Sequence, residues 1–523
     1  MKTFLQRFAG LVAGVLSGFD RLVFRGKLRQ LYAPDGMDRY LASNHILFKN
    51  YKEHAESVTR QVIESSVAQA ARLGRPFEYL DSPKIPKDER ALQVAKRDGV
   101  KEGLICVFKS LEPCWSFKLM GEKRRLHVAG RKSKCSFLYH YFLHPEFGLM
   151  YGRVQTWFPF EIQVGINGRE WLARQLDRAG VSYLRSDNKF LEIEDWQRAQ
   201  QLLDQQVYVN WVAVLEDLLA QVHPLHPKHL GSWPLAYNWT VFQSEWATDV
   251  AFQSAEILKH WYDRWIRHAL MNFDSTEVLR FLGFSGRLNA GCRGAVLKEV
   301  KTNLRHRPEG VRLKHWVDDN SLKMYDHHCV LRVETTINEP RHFRLYRTSE
   351  NDPDGEKAWR VLRRNVADIY RRTQVSQAAN QRYLGALATV AETRPLKELT
   401  APLCRRAPAP GKKPGRKLRA LNPLAADDAA LLAAVADPRW MINGVRNRDL
   451  VAALYKNPAA DPAEQRRRSS RVTRLIRLLR AHALLQKVPR THRYQVSDKA
   501  RQTITVLLAA RDANPEELIA KAA

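Results

Sequence analysis

Four carboxylates stand in settings where a carboxylate is either costly or paired by spacing. Asp20 interrupts the apolar run Gly18-Phe-Asp-Arg-Leu-Val-Phe24, and Glu334 sits among the strand-forming residues of Val330-Leu-Arg-Val-Glu-Thr-Thr336. Glu245 and Asp249 stand four residues apart in Ser244-Glu-Trp-Ala-Thr-Asp-Val250, a spacing that puts both on one face of a helix. Strand and helix carboxylates that converge can hold divalent metal ions for phosphodiester cleavage. Asp20, Glu245 and Asp249 are therefore candidate Mg2+ ligands, and with Glu334 they are candidate catalytic residues. The same side chains have plainer uses: Asp20 can pair with Arg21 or Arg25, and Glu245 can cap a helix.

A fifth candidate is Tyr325, in Lys323-Met-Tyr-Asp326 followed by Leu331-Arg-Val-Glu334. This dozen residues resembles the Lys-x-Tyr-Asp and Leu-Arg-x-Glu strands of phage and plasmid replication initiators. The resemblance implies a tyrosine nucleophile that forms a phosphotyrosine link. Initiators that use a His-hydrophobic-His metal pair depart from this chain, which offers only His140 and His144, or His223, His226 and His229 interrupted by prolines. A strand tyrosine also serves as simple packing.

Cations and aromatic residues interleave from Trp115 through Lys118, Lys123, Arg124, Arg125, Arg131, Lys132, Lys134, Tyr139, Tyr141, Arg153 and Trp157. Such a mixture can stack unpaired bases and hold phosphates, although most strand aromatics belong to a core. No P-loop, G-x-G-x-x-G or G-x-S-x-G stretch falls in a fitting context, which argues against an NTPase, a dinucleotide enzyme or a serine hydrolase.

The elements that must position these residues belong to a chain of 523 residues, longer than the roughly 250 to 300 at which single cores stop growing. Hydrophobic residues at 45% and charged residues at 27% describe an ordinary folded protein. Eighty-five Lys and Arg against 55 Asp and Glu leave a net charge of +30, a field that attracts polyanions. Cys106, Cys114, Cys135, Cys292, Cys329 and Cys404 lack paired C-x-x-C spacing, so reduced thiols in a cytosol are expected in place of a zinc site. The apolar Leu11–Leu16 stretch is short and lacks an A-x-A cleavage site, and reads as a helix leading into a buried strand, with no membrane span.

The expected fold class is α+β and multidomain, a mixed helical and antiparallel-sheet body with a C-terminal winged helix. Residues 1–100 read as a strand plus a helical region, and 101–400 as an α+β body with two antiparallel β clusters. In that body Asn167-Gly168 reads as a turn, and Glu245 to Phe273 as one long helix. Residues 405–420 form a basic Pro/Gly linker, mobile because it has too little apolar surface to order itself. Its Lys412, Lys413, Arg416 and Lys417 can touch phosphates.

Residues 421–523 carry a helix from Asp427, a short strand Arg439–Ile442, a helix Arg446–Tyr455, a helix from Pro462, a hairpin 485–496 and a closing helix. Val472, Leu475, Ile476 and Leu479 take the spacing of a core face, while Arg467, Arg471 and Arg474 lie opposite. The segment resembles the winged helices of MarR-like transcription regulators, above all in Leu478-Leu-Arg-Ala-His-Ala-Leu-Leu-Gln-Lys-Val488 and Arg493-Tyr-Gln-Val496. The resemblance implies that the third helix enters a major groove and that the wing, with Arg490 and Arg493, meets the backbone or the minor groove.

The expectation is a cytoplasmic, nucleoid-associated protein that binds DNA, of the transposase or recombinase kind found in bacterial mobile elements. If it is an enzyme, it is a Mg2+-dependent nuclease or strand transferase. The alternatives are a non-catalytic transcription regulator and a ribonucleoprotein component whose body holds structured RNA. Assembly into a homo-oligomer is left open, and no membrane partner is expected.

Overall fold

The computed structural model describes residues 2–82, 85–122, 125–223, 236–284, 299–307, 310–349, 352, 354–391, 396–410, 417–437, 440, 444–455, 457–489 and 491–512. The chain is α+β, and it divides into two compact units. An N-terminal unit comprises Leu16–Ala247 with Arg363–Thr373; a C-terminal unit comprises Met1–Val15, Thr248–Leu362 and Gln374–Ala523.

The main strands, in chain order, are β1 (Val12–Lys27), β2 (Phe77–Leu80), β3 (Gly103–Glu122), β4 (Arg125–His144), β5 (Gly148–Gln155) and β6 (Ile162–Asn167). A small hairpin β7 (Tyr183–Ser186) and β8 (Lys189–Ile193) follows, then β9 (Asn238–Phe252). After it come β10 (Lys301–Arg307), β11 (Gly310–Val317), β12 (Asn320–His327) and β13 (Val330–Ile337). Short pairs complete the set: β14 (Arg344–Arg347) with β15 (Ala358–Val361), β16 (Ala407–Pro408) with β17 (Lys417–Leu418), and β18 (Leu485–Lys487) with β19 (Tyr494–Val496). Both β1 and β9 run from one unit into the other.

In the N-terminal unit the strand order is β9-β1-β6-β5-β4-β3-β2. Pairing is antiparallel from β1 through β6, β5 and β4 to β3, and β2 joins β3 in parallel. β1 was the expected buried strand, but it begins at Val12 and absorbs most of the apolar stretch read as helix; the helix before it is only Lys2–Arg7. Two glycines keep β1 extended under close packing. A Cβ on Gly18 would lie 2.5 Å from the Leu203 side chain, and one on Gly26 would lie 2.7 Å from the Trp239 ring. The helices Pro34–Ser43, Tyr51–Arg72 and Trp211–Val222 bury Tyr40, Val58, Val62, Leu215 and Leu218 in one core with Leu16, Phe24 and Val164.

β3 and β4 form one long hairpin, which β5 and β6 continue as an antiparallel meander. Pro113 and Gly130 sit inside the two long strands, opposite Lys134 and Phe117. Gly130 accommodates the Trp115 ring, which would meet a Cβ there at 2.3 Å.

In the C-terminal unit the order is β10-β11-β12-β13-β9, antiparallel from β10 to β13. Val250, Leu313, Leu322, Met324, Leu331 and Val333 from these strands pack with Trp265 of helix Ala255–Asn272 and Tyr383 of helix Ile369–Leu387. The long helix expected over Glu245 to Phe273 is corrected: Glu245 and Asp249 lie on β9, and the helix starts only after Ser254, whose hydroxyl accepts from the Ile257 N–H at 3.3 Å. β9 is buried on both sides near its end and so lacks the alternation that marks a strand facing water.

The same unit ends in helices Ala426–Val435, Asn447–Leu454 and Pro462–Ala481, the β18–β19 hairpin and helix Asp498–Asp512, which share a core of Leu432, Leu450, Val472, Ile476, Leu479 and Ile504. The strand expected at Arg439–Ile442 lies outside the described residues apart from Trp440. The flanks of the basic linker are ordered against each other: Ala407 pairs with Leu418, Pro408 with Lys417, and the Leu421 N–H donates to the Leu403 carbonyl at 2.9 Å. Lys412, Lys413, Arg416 and Arg490 lie outside the described residues, as does Cys292. The other five cysteines are free thiols. Among the described residues no helix is long and apolar enough to cross a membrane.

Candidate metal centre

β1 presents Asp20 and β9 presents Glu245. These neighbouring strands of the N-terminal unit are held in place from several sides. The Trp246 indole N–H donates to the Ser17 hydroxyl at 3.0 Å, and its ring meets Phe19 edge-on at 4.9 Å. The Thr240 hydroxyl donates to the Arg25 carbonyl at 3.1 Å. Buried Arg372 donates to the Val241 carbonyl at 3.1 Å and the Ser244 hydroxyl at 3.2 Å. In this frame an oxygen of Asp20 and an oxygen of Glu245 lie within 4.8 Å of each other, close enough to share one cation.

Asn167-Gly168, read as a turn, is the start of a helix that delivers a cation to Asp20. The Asn167 side chain accepts from the N–H groups of Arg169 and Glu170 at 2.8 and 3.1 Å, capping helix Gly168–Ala179. Gly168 is obligatory there, because a Cβ would come within 2.2 Å of the Phe19 carbonyl oxygen. The cap turns Arg169 inward, fully buried, with Nε 4.0 Å from Asp20 Oδ1 and Nη2 donating to the Ala247 carbonyl at 3.1 Å. Asn188 adds a donor to Asp20 Oδ1 at 2.5 Å, and Gln243 adds one to Glu245 Oε1 at 2.7 Å. The field of the pair reaches Arg21: partial desolvation disfavours its charge, yet Glu245 and Asp20 hold its pKa above the ordinary value.

Asp249 and Glu334 belong to the C-terminal unit. Asp249 is gripped by Arg332 through Nε–Oδ1 at 2.5 Å and Nη2–Oδ2 at 2.8 Å, with both side chains buried. Four residues along a strand span about 13 Å, against the 5 to 6 Å of a helix turn, so Asp249 does not accompany Glu245 as its sequence spacing suggested. Glu334 is fully buried on β13 and pairs across the ladder with Lys323, Nζ to Oε1 at 2.5 Å. Asn380 closes this region, donating to the Val333 carbonyl at 3.0 Å and the Thr248 hydroxyl at 3.1 Å and accepting from Thr335 at 2.7 Å.

Tyr325 lies on β12, an interior strand, opposite Arg332, whose Nη1 donates to its hydroxyl at 3.4 Å. His140, one of the histidines weighed as a metal ligand, is buried at 3.1 Å from the Ser66 hydroxyl, and burial lowers its pKa to about 4. Sequence reasoning missed Arg169, Arg372, Arg332 and Asn380. Each is polar and buried, a combination that no local pattern marks.

The basic residues separate into exposed and engaged groups. Arg467, Arg471 and Arg474 are exposed on helix Pro462–Ala481, with Arg471 3.5 Å from Asp427. Arg493 lies over the Tyr346 ring at 4.0 Å, and burial followed by the Arg446 charge lowers its pKa. Trp115, Arg131, Lys132 and Lys134 are exposed on the β3–β4 hairpin, whereas Arg153 is drawn in against Phe137 at 3.6 Å and Glu112 at 2.8 Å. Lys417 is exposed on β17.

No family model and no curated protein matches the chain. Among solved structures, the di-domain ARO/CYC BexL from the BE-7585A biosynthetic pathway aligns with 59% of this chain and 95% of its own, at 11% identity and a TM-score of 0.15. At that TM-score the likeness carries no argument about fold or activity.

Proposed function

We propose that the chain is a nucleic-acid-processing protein of the transposase or recombinase kind, in which Asp20 and Glu245 hold a divalent cation, Mg2+ in the cell, for cleavage of a phosphodiester bond. The observation that carries this reading is the approach of Asp20 and Glu245, on neighbouring strands beside buried Arg169. Two carboxylates at that separation repel each other, and a cation between them converts the repulsion into binding. The ion would supply a nucleophilic hydroxide and a clamp for the oxygens of the displacement. Arg169 and Asn188 orient Asp20, and Gln243 orients Glu245. Asp249, held by Arg332, positions β9 and is not counted among the ligands. Tyr325 is not assigned the nucleophile, since Arg332 already engages its hydroxyl.

The second part of the reading assigns residues 421–512 as a winged helix for duplex DNA. Arg467, Arg471 and Arg474 on one exposed helix face support it, because phosphates attract a cluster of like cations that a protein interface would disfavour. The same face would serve a non-catalytic regulator, and the two readings part on metal-dependent chemistry. Incubation of the full chain with labelled DNA tests them. Mg2+-dependent strand cleavage that is lost in Asp20→Asn and in Glu245→Gln is expected, and DNA binding without cleavage by the unmodified protein would favour the regulator.

A further inference from the structure

One face of the β2-β3-β4 edge of the N-terminal unit is open to solvent as a strip of rings and lysines. Side chains alternate between the faces of a strand, so Lys109, Leu111, Pro113 and Trp115 of β3 lie on one face. Lys134 and Lys132 of β4 pair with Pro113 and Trp115, and Tyr79 of β2 pairs with Lys109, which brings these three onto the same face. At ~3.3 Å per residue, the strip runs about 20 Å from Lys109 to Trp115. Tyr79 at one end is 57% exposed, Trp115 at the other 42%, and Leu111 between them 51%.

The Trp115 indole lies across Gly130, where a Cβ would meet it at 2.3 Å, so the glycine lets the ring rest on the sheet. Lys109 Nζ lies 6.0 Å from the centre of the Tyr79 ring. Lys132 and Lys134 are exposed, and neither enters an ion pair among the described residues. The acids of the same strand stretches, Glu78 and Glu112, fall on the opposite face, where Arg90 at 3.3 Å and Arg153 at 2.8 Å take them up. The strand positions of the strip therefore carry positive charge and no negative charge.

A polyanion that also presents flat apolar faces matches this combination. Lysines are depleted from protein interfaces, whereas phosphates attract them. A ring already held against the sheet can stack on a base, and base faces are open in a single strand but covered in a duplex. We infer that the strip binds single-stranded nucleic acid, with bases stacked on Trp115 and Tyr79 and phosphates at Lys132 and Lys134. The inference rests on the nucleic-acid reading above and deepens it, giving the chain a hold on a single strand in addition to the duplex assigned to helix Pro462–Ala481.

Fluorescence anisotropy of the full chain with a labelled oligothymidylate, and in parallel with a labelled duplex, tests it. Saturable oligothymidylate binding is expected, about tenfold weaker in Trp115→Ala and in Tyr79→Ala, with duplex affinity and the melting curve unchanged. Replacing Lys132 and Lys134 together by glutamine should lower the slope of log affinity against log salt on the oligothymidylate by about 1.4, at about 0.7 for each phosphate contact. Unaltered oligothymidylate affinity in either ring variant, an equal loss on the duplex, or an unaltered slope in the lysine variant would overturn the assignment. Duplex binding without oligothymidylate binding would overturn the strip alone, and binding of neither would overturn the nucleic-acid reading with it.

Discussion

Arg332 holds Asp249 in a buried two-point ion pair, Nε to Oδ1 at 2.5 Å and Nη2 to Oδ2 at 2.8 Å. Asp249 is on β9, four residues beyond Glu245, and Arg332 is on β13, two residues before Glu334. The pair therefore ties β13 to the end of β9, the strand that carries Glu245, one of the proposed ligands. Removing one member leaves a buried charge without its counterion, which costs about 3 to 5 kcal/mol. Arg332→Met and Asp249→Leu should each destabilise the protein by that amount in urea unfolding, and the double variant should recover most of the loss. Additive losses would show that the two residues are not coupled.

The glycine at the start of helix Gly168–Ala179 gives a second prediction. Gly168→Ala places a methyl group within 2.2 Å of the Phe19 carbonyl oxygen, a backbone atom that cannot swing away. A loss of about 1 to 3 kcal/mol is expected from overpacking. Because Phe19 precedes Asp20 and Arg169 follows Gly168, Mn2+ affinity should fall as well. A stable variant with normal affinity would show that this contact does not position Asp20.

Acid stability follows from two buried histidines, His140 in the N-terminal unit and His315 in the C-terminal unit, each lowered from 6.5 to about 4 by burial. The unfolded chain takes up these protons first, so the native state loses stability as pH falls from about 6.5 toward 4 and gains nothing from them above 6.5. Each site should contribute a loss of about 2 kcal/mol between pH 7 and pH 5. His140→Gln should lessen the pH dependence of urea unfolding; a dependence identical to that of the unmodified protein would mean that His140 titrates alike in the folded and unfolded chain.

DNA binding through helix Pro462–Ala481 predicts a defined salt response. Replacing Arg467, Arg471 and Arg474 together by alanine should reduce the slope of log affinity against log salt on duplex DNA by about 0.9 for each phosphate that is no longer neutralised. Affinity should fall by about 1 to 3 kcal/mol for each arginine that reads a base. An unaltered slope would remove this helix from the interface.

The sequence made some of this legible and hid the rest for identifiable reasons. Asp20 and Glu334 stood out because an ionised group in an apolar strand is costly. Helix Trp211–Val222 has a local start signal in Asn210, whose side chain accepts from the Ala213 N–H at 3.3 Å. β9 was misread because Trp246, Val250 and Ile257 fit a helical spacing, whereas a strand buried on both sides shows no alternation to oppose it. Asn167-Gly168 has turn chemistry, but the same asparagine caps a helix when the residues after it are helical. Arg169, Arg332 and Arg372 were hidden because a buried arginine is defined by partners 78, 83 and 128 residues away.

Manganese binding, followed by the loss of the free-ion electron paramagnetic resonance signal, tests the metal centre most directly. The unmodified chain should bind Mn2+ at a site that Mg2+ displaces, and Asp20→Asn and Glu245→Gln should each abolish that site while retaining the native melting curve. Unchanged Mn2+ binding in both variants, or no displaceable site in the unmodified protein, would contradict the account.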